Sequence, residues 1–174
     1  LSLINDLLDL SKLEAGKMKI HPGYVNINEI INNCIREQQA RLQELQIEIT
    51  CEQHKPVKIH LDQQLIGQVV TNLLSNAIKF SPSPSTIRIN TTLEKQNLVF
   101  SIADQGEGIS ESHLKTIFSP FEQDQQHPHQ QQQKGTGLGL AICKEIIELH
   151  HGKIWAENDL PKGAVFYFTL PLDN

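Results

Sequence analysis

Apolar positions along the chain follow two rhythms, one of three and four residues and one of two, and the switches between them outline the elements. Over residues 1 to 19, Leu1, Ile4 and Leu8 together with Leu3, Leu7 and Leu10 keep the helical spacing and predict a helix that wants a partner helix. H-P-G at 21 to 23 breaks it and leaves room for a short strand at 24 to 26. Asn28 is then expected to cap a helix over about residues 29 to 46, with Ile30, Ile31, Cys34, Ile35, Leu42 and Leu45 on its apolar side. I-E-I-T-C-E (47 to 52) and V-K-I-H (57 to 60) alternate as short strands around a turn at Lys55-Pro56. Asp62 is expected to cap the next helix, which runs to about Phe80 with Ile66, Val69, Val70, Leu73, Leu74, Ala77 and Ile78 on one half of its wheel. After the S-P-S-P-S turn, T-I-R-I-N-T-T-L and L-V-F-S-I-A-D predict a hairpin closed by Lys-Gln-Asn. A last helix runs from G-T-G-L-G-L to about His151, Gly152 is expected to end it, and K-I-W-A-E-N and A-V-F-Y-F-T-L-P close the chain as strands.

Composition narrows what such a chain can be. Its 174 residues, 39% hydrophobic and 20% charged, suit one globular domain with an appendage. A formal charge of −5 and no basic run interleaved with aromatics argue against nucleic acid as a partner. Cys34, Cys51 and Cys143 stand far apart with no C-x-x-C pair, so they read as reduced core residues of a cytoplasmic protein. No apolar run approaches the roughly 20 residues of a membrane span. The sequence opens at Leu1 inside an apolar-periodic segment, which reads as a piece of something longer. One stretch breaks both rhythms: seven glutamines between Gln123 and Gln133 leave too few apolar groups to fix that tract in a core.

Three groups of residues carry chemistry. On T-N-L-L-S-N-A-I-K-F, Asn76 lies about 40° round the helix from Asn72 and Lys79 about 20° the other way, so the three form one stripe. Asparagine is a poor helix former, and its amide is useful where something needs donors and acceptors, although the stripe alone also fits a plain polar face. Asp104 closes a strand and opens D-x-G-x-G, where a carboxylate can accept from an exocyclic amine and Gly106 and Gly108 admit a flat ring. Alone, this is equally an Asp-Gly turn. Gly135, Gly137 and Gly139 open a helix, where clustered backbone N–H groups suit a phosphate. G-x-x-x-x-G-K-[ST] is absent, and no strand directly precedes the first glycine, so neither a P-loop nor a Rossmann turn is present.

In order and spacing, N-L-L-S-N-A-I-K-F, D-Q-G-E-G-I, F-S-P-F and G-T-G-L-G-L resemble the N, G1, F and G2 boxes of bacterial sensor histidine kinases. The likeness runs through A-I-C-K-E-I-I-E-L-H-H-G-K-I-W to the final F-T-L-P, and residues 1 to 20 look like the end of the second helix of that family's dimerisation hairpin. The resemblance implies the Bergerat fold, an α/β sandwich of a mixed sheet on three helices, over residues 21 to 174, with ATP held under a lid. It implies that Asn76 binds Mg²⁺, an ion that accepts oxygen ligands and keeps most of its waters. Asn72 then supports the phosphates and metal waters, and Lys79 neutralises phosphate charge. Asp104 takes the adenine amine, Gly106, Gly108 and Ile109 line the base pocket, and Phe80 is a further ATP-binding residue. Gly135, Gly137, Leu138 and Gly139 meet the phosphates, and Lys134, Thr136 and Leu140 are further ATP-binding residues. Phe118 and Phe121 hinge or pack the lid, or serve as ordinary core anchors.

The same resemblance sets the chemistry expected. Related ATPases carry Glu one helical turn before the metal asparagine as the base that activates water. That position is Asn72, so hydrolysis is expected to be poor and the γ-phosphate left for a histidine on the dimerisation domain. None of the eight histidines fits that acceptor. His21 precedes Pro22-Gly23, His127 and His129 fall in the glutamine tract, and His150-His151 sit at a helix C-terminus, where positive charge suits the dipole. A response regulator and a homodimeric, optionally membrane-anchored full-length protein are the implied partners and setting. An ATP hydrolase of the same fold and a non-catalytic regulatory module stay open as alternatives.

Overall fold

The computed structural model describes residues 18–122 and 136–172. The expected helix over 1 to 19 lies almost wholly outside these residues, as do the glutamine tract with His127 and His129, Lys134 and Gly135. Strand β1 (Gly23–Asn26) leads into helix α1 (Ile27–Glu44), followed by β2 (Ile47–Glu52) and β3 (Lys58–Leu61). Helix α2 (Gln63–Phe80) precedes the hairpin β4 (Ser85–Glu94) and β5 (Asn97–Ala103), and the short α3 (Glu111–Leu114) follows. Helix α4 (Gly139–Leu149) and the strands β6 (Lys153–Asn158) and β7 (Ala164–Pro171) complete the order.

Five strands form one mixed sheet in the order β2-β4-β5-β7-β6, while β1 and β3 pair apart as an antiparallel ribbon. Only β2 and β4 run parallel, with Ile47 opposite Ser85 and Ile49 opposite Ile87. A parallel pair needs a crossover, and the chain through β3 and α2 supplies it. The two runs at 47–52 and 58–61 therefore belong to different sheets, although they are near neighbours in sequence.

The long helices make the second layer, with α2 packed between α1 and α4. All seven apolar residues expected on the inner half of α2 are buried there. They join Phe100 and Phe168, whose rings stack at 4.6 Å, in a single core cluster. This is the Bergerat α/β sandwich of three helices on a mixed sheet. No helix among the described residues is long and apolar enough to cross a membrane.

Two helix ends differ from expectation. The cap of α1 is Asn26, whose side chain accepts from the Asn28 N–H, and not Asn28. Asn28 is buried, and its amide donates to the His54 carbonyl at 2.9 Å. At the end of α4, the left-handed residue is His151, with φ of 59°, and not Gly152. Gly152 donates back to the Ile147 carbonyl, and a Cβ on it would lie 2.0 Å from the Thr169 carbonyl oxygen. Its lack of a side chain serves close packing against β7.

His150 is buried and bridges the end of α4 to the start of α2. Its Nε2 accepts the Asp62 N–H at 3.0 Å and its Nδ1 lies 2.7 Å from the Ile146 carbonyl. Asp62 in turn caps α2 through Oδ1 and takes the His21 N–H on Oδ2 at 2.8 Å. The chain entering at His21, the start of α2 and the end of α4 thus meet at one carboxylate and one imidazole.

Candidate nucleotide site

The outer side of α2 presents Asn72, Asn76 and Lys79, all half-buried, with Asn72 beside the start of α4. Apolar residues dictate this orientation, since burying the inner half of the wheel leaves the polar stripe facing outward. The Asn72 side-chain amide donates to the Gly139 carbonyl at 3.5 Å, which joins the stripe to the glycine-rich helix start. Lys79 places Nζ 4.8 Å from the centroid of the Phe80 ring. Burial first, and then the Arg41 guanidinium, lower the Lys79 ammonium below its ordinary pKa.

Asp104 leaves the end of β5 and is 5% exposed. Its Oδ1 accepts the N–H groups of Gly106 at 2.8 Å and Ala164 at 3.2 Å. Both bonds fall on one oxygen, which fixes the carboxylate and directs Oδ2 away from them. Burial pushes this carboxyl above its ordinary pKa, while the two N–H bonds pull the other way. A buried acceptor with one oxygen committed suits a single exocyclic amine.

The two glycines after Asp104 answer to protein neighbours as much as to any ligand. A Cβ on Gly106 would stand 2.7 Å from the Phe80 carbonyl oxygen, so the D-x-G-x-G loop and the end of α2 touch only because that atom is missing. Gly108 adopts φ of +85°, and a Cβ there would stand 2.9 Å from the Asn158 side-chain oxygen. Asn158 escaped the sequence reading. It holds Ile109 from 49 residues away, a separation over which no local spacing gives a signal.

At the other end of the site, Leu138 occupies the cap position of α4 with no side-chain acceptor for the first-turn N–H groups. The Leu138 side chain is fully buried and its N–H donates to the Thr136 hydroxyl at 3.2 Å, so it anchors the loop to the core. Gly139 and Leu140, in the first turn, supply backbone N–H groups of the kind that gather an anion. Phe121 donates to the Gly137 carbonyl at 2.9 Å, which ties the F-S-P-F segment to the glycine-rich loop. Phe121 is 62% exposed with φ of 64°, so it is no core anchor, whereas Phe118 packs edge-on against Phe166. Lys134 and Gly135 lie outside the described residues.

Comparison with known proteins agrees with this arrangement. Residues 61–174 match the family of histidine kinase-, DNA gyrase B- and HSP90-like ATPases. The sensor protein KdpD of Clostridium acetobutylicum is 37% identical over 169 residues, which cover 97% of this chain and 19% of KdpD. The chain thus spans a small part of that relative. The catalytic domain of the histidine kinase ThkA superimposes with a TM-score of 0.78 at 31% identity, covering 88% of this chain and 97% of that one. ThkA in complex with the response regulator protein TrrA gives 0.78 at 27%, covering 98% and 48%. Full-length ShkA in complex with AMPPNP gives a TM-score of 0.85 at 27% identity, covering 98% of this chain and 35% of that one. With the sandwich, the polar stripe on α2 and the glycine-rich start of α4 all in place, the chain belongs to the histidine kinase-, DNA gyrase B- and HSP90-like ATPase family, and its likenesses there are sensor histidine kinases.

Proposed function

We propose that this chain is the ATP-binding catalytic domain of a two-component sensor histidine kinase, and that it passes the γ-phosphate of ATP to a histidine on a dimerisation domain. Residues 21 to 174 are that domain, and residues 1 to 20 belong by resemblance to the end of the dimerisation hairpin. The observation that carries the reading is the Asp104 carboxylate. It is buried and held by two backbone N–H groups on one oxygen, leaving the other to accept the adenine amine. Phe80, Gly106, Gly108 and Ile109 surround the base. Gly135, Thr136, Gly137, Gly139 and Leu140 offer backbone groups to the phosphates, with Lys134 and Lys79 supplying positive charge.

Asn76 is the residue to hold Mg²⁺ through its amide carbonyl, with Asn72 ordering phosphate and metal waters. The donor set suits a hard cation that keeps several waters, because a single neutral oxygen on a half-buried helix face replaces one water and leaves the rest. Bound there, the ion would neutralise phosphate charge. Asn72 cannot take a proton at neutral pH, so nothing on this stripe activates water, which favours transfer over hydrolysis. A response regulator and a homodimeric full-length kinase are the partners this reading brings.

The direct test is nucleotide affinity. Asn76→Ala and Asp104→Asn are each expected to weaken Mg-ATP binding more than tenfold, about 1.4 kcal/mol or more. Calorimetry giving both variants the wild-type affinity would contradict the site.

A further inference from the structure

We infer that Asn158 is a positioning residue for the base pocket, acting through the backbone of Ile109. Its amide oxygen accepts the Ile109 N–H at 2.7 Å, and its amide nitrogen donates to the Ile109 carbonyl at 2.7 Å. One side chain thereby fills both main-chain hydrogen-bonding positions of a loop residue that no strand pairs. It does for Ile109 what a ladder neighbour does inside a sheet. Only an amide serves both bonds, since a carboxylate lacks the donor and an ammonium lacks the acceptor.

Gly108 fits the same device. The amide oxygen of Asn158 occupies the space a Gly108 Cβ would take, at 2.9 Å, so the bare glycine admits the clamp as well as the left-handed turn. Asn158 ends β6, and at the far end of the connection to β7 Ala164 exchanges two further bonds with Asp104. The Asp104 N–H donates to the Ala164 carbonyl at 3.0 Å, and the Ala164 N–H donates to Oδ1 at 3.2 Å. Arg88 pairs with Asp159 at the start of that connection. The β6–β7 connection therefore grips the D-x-G-x-G segment at two points. Ala164 sets the acceptor and Asn158 sets the wall beside it.

This inference rests on the adenine reading of the site, and the test separates the two. Asn158 is exposed, so its replacement should leave the core intact. Calorimetry with ATP and with GTP is run on the whole chain, on Asn158→Ala, on Asn158→Asp and on Asp104→Asn, with melting curves alongside. Asn158→Ala should lose about tenfold in ATP affinity at an unchanged melting temperature and lose far less for GTP, so that the preference for adenine narrows. A merely structural role would weaken both nucleotides together and lower the melting temperature. Asn158→Asp keeps the acceptor for the Ile109 N–H and should fall between wild type and Asn158→Ala, which serves if the alanine variant folds poorly. If Asp104→Asn loses ATP while both Asn158 variants keep wild-type affinity and preference, the inference fails alone. If the wild-type chain prefers no adenine nucleotide, or Asp104→Asn costs nothing, the site reading fails and takes this one with it.

Discussion

Asp104 and Asp62 show opposite fates for a carboxylate. Burial dominates at Asp104 and raises its pKa despite two N–H bonds. At Asp62 burial would raise it as well, but the N–H groups of His21, Leu65 and Gln64 outweigh burial and lower it. A carboxyl lowered on folding contributes stability that is complete above its unfolded pKa and is lost as pH falls through the folded value. Asp62→Ala should therefore cost about 0.5–2 kcal/mol at neutral pH, the usual worth of a helix cap. The gap to wild type should shrink as pH drops below about 4. Denaturant unfolding at a series of pH values checks this, and a gap that stays constant to the acid limit would contradict it.

At the scale of elements, α2 carries both the core and the proposed metal site, and its two faces were legible for one reason. Seven apolar residues at helical spacing leave a single orientation for Asn72, Asn76 and Lys79. Leu73 is fully buried at the centre of that face, and Leu73→Ala should cost about 2–5 kcal/mol, read by the shift in the unfolding midpoint. Other elements were less legible. Asn26 and Asn28 are both competent caps, and the choice between them is made by the His54 carbonyl, a partner 26 residues away. The spacing of 47–52 and 57–60 marks two strands, but it carries no sign that one pairs parallel with β4 and the other antiparallel with β1. Strand partners follow from where α2 crosses, which is a property of the packed chain. The glycine motifs announced themselves, yet Gly108 and Gly152 turn out to accommodate Asn158 and Thr169. Such long-range contacts leave no local periodicity to read.

For the whole molecule, the layers separate two duties. The sheet and the inner faces of the helices make the core, while α2, the loop after β5, the start of α4 and the β6–β7 connection converge outside it. His21, Asp62 and His150 join the entering chain to two of those helices. Such a frame suits a domain that holds ATP still and waits for an acceptor, since phosphoryl transfer rests on positioning and charge stabilisation. The most direct measurement is to incubate the chain with γ-labelled Mg-ATP, with and without a separately supplied histidine kinase dimerisation hairpin carrying a phosphoacceptor histidine. Acid-labile label on the hairpin, with little free phosphate released when the hairpin is left out, is the predicted result. Steady phosphate release with an unlabelled hairpin would make the chain an ATP hydrolase and contradict the transfer reading.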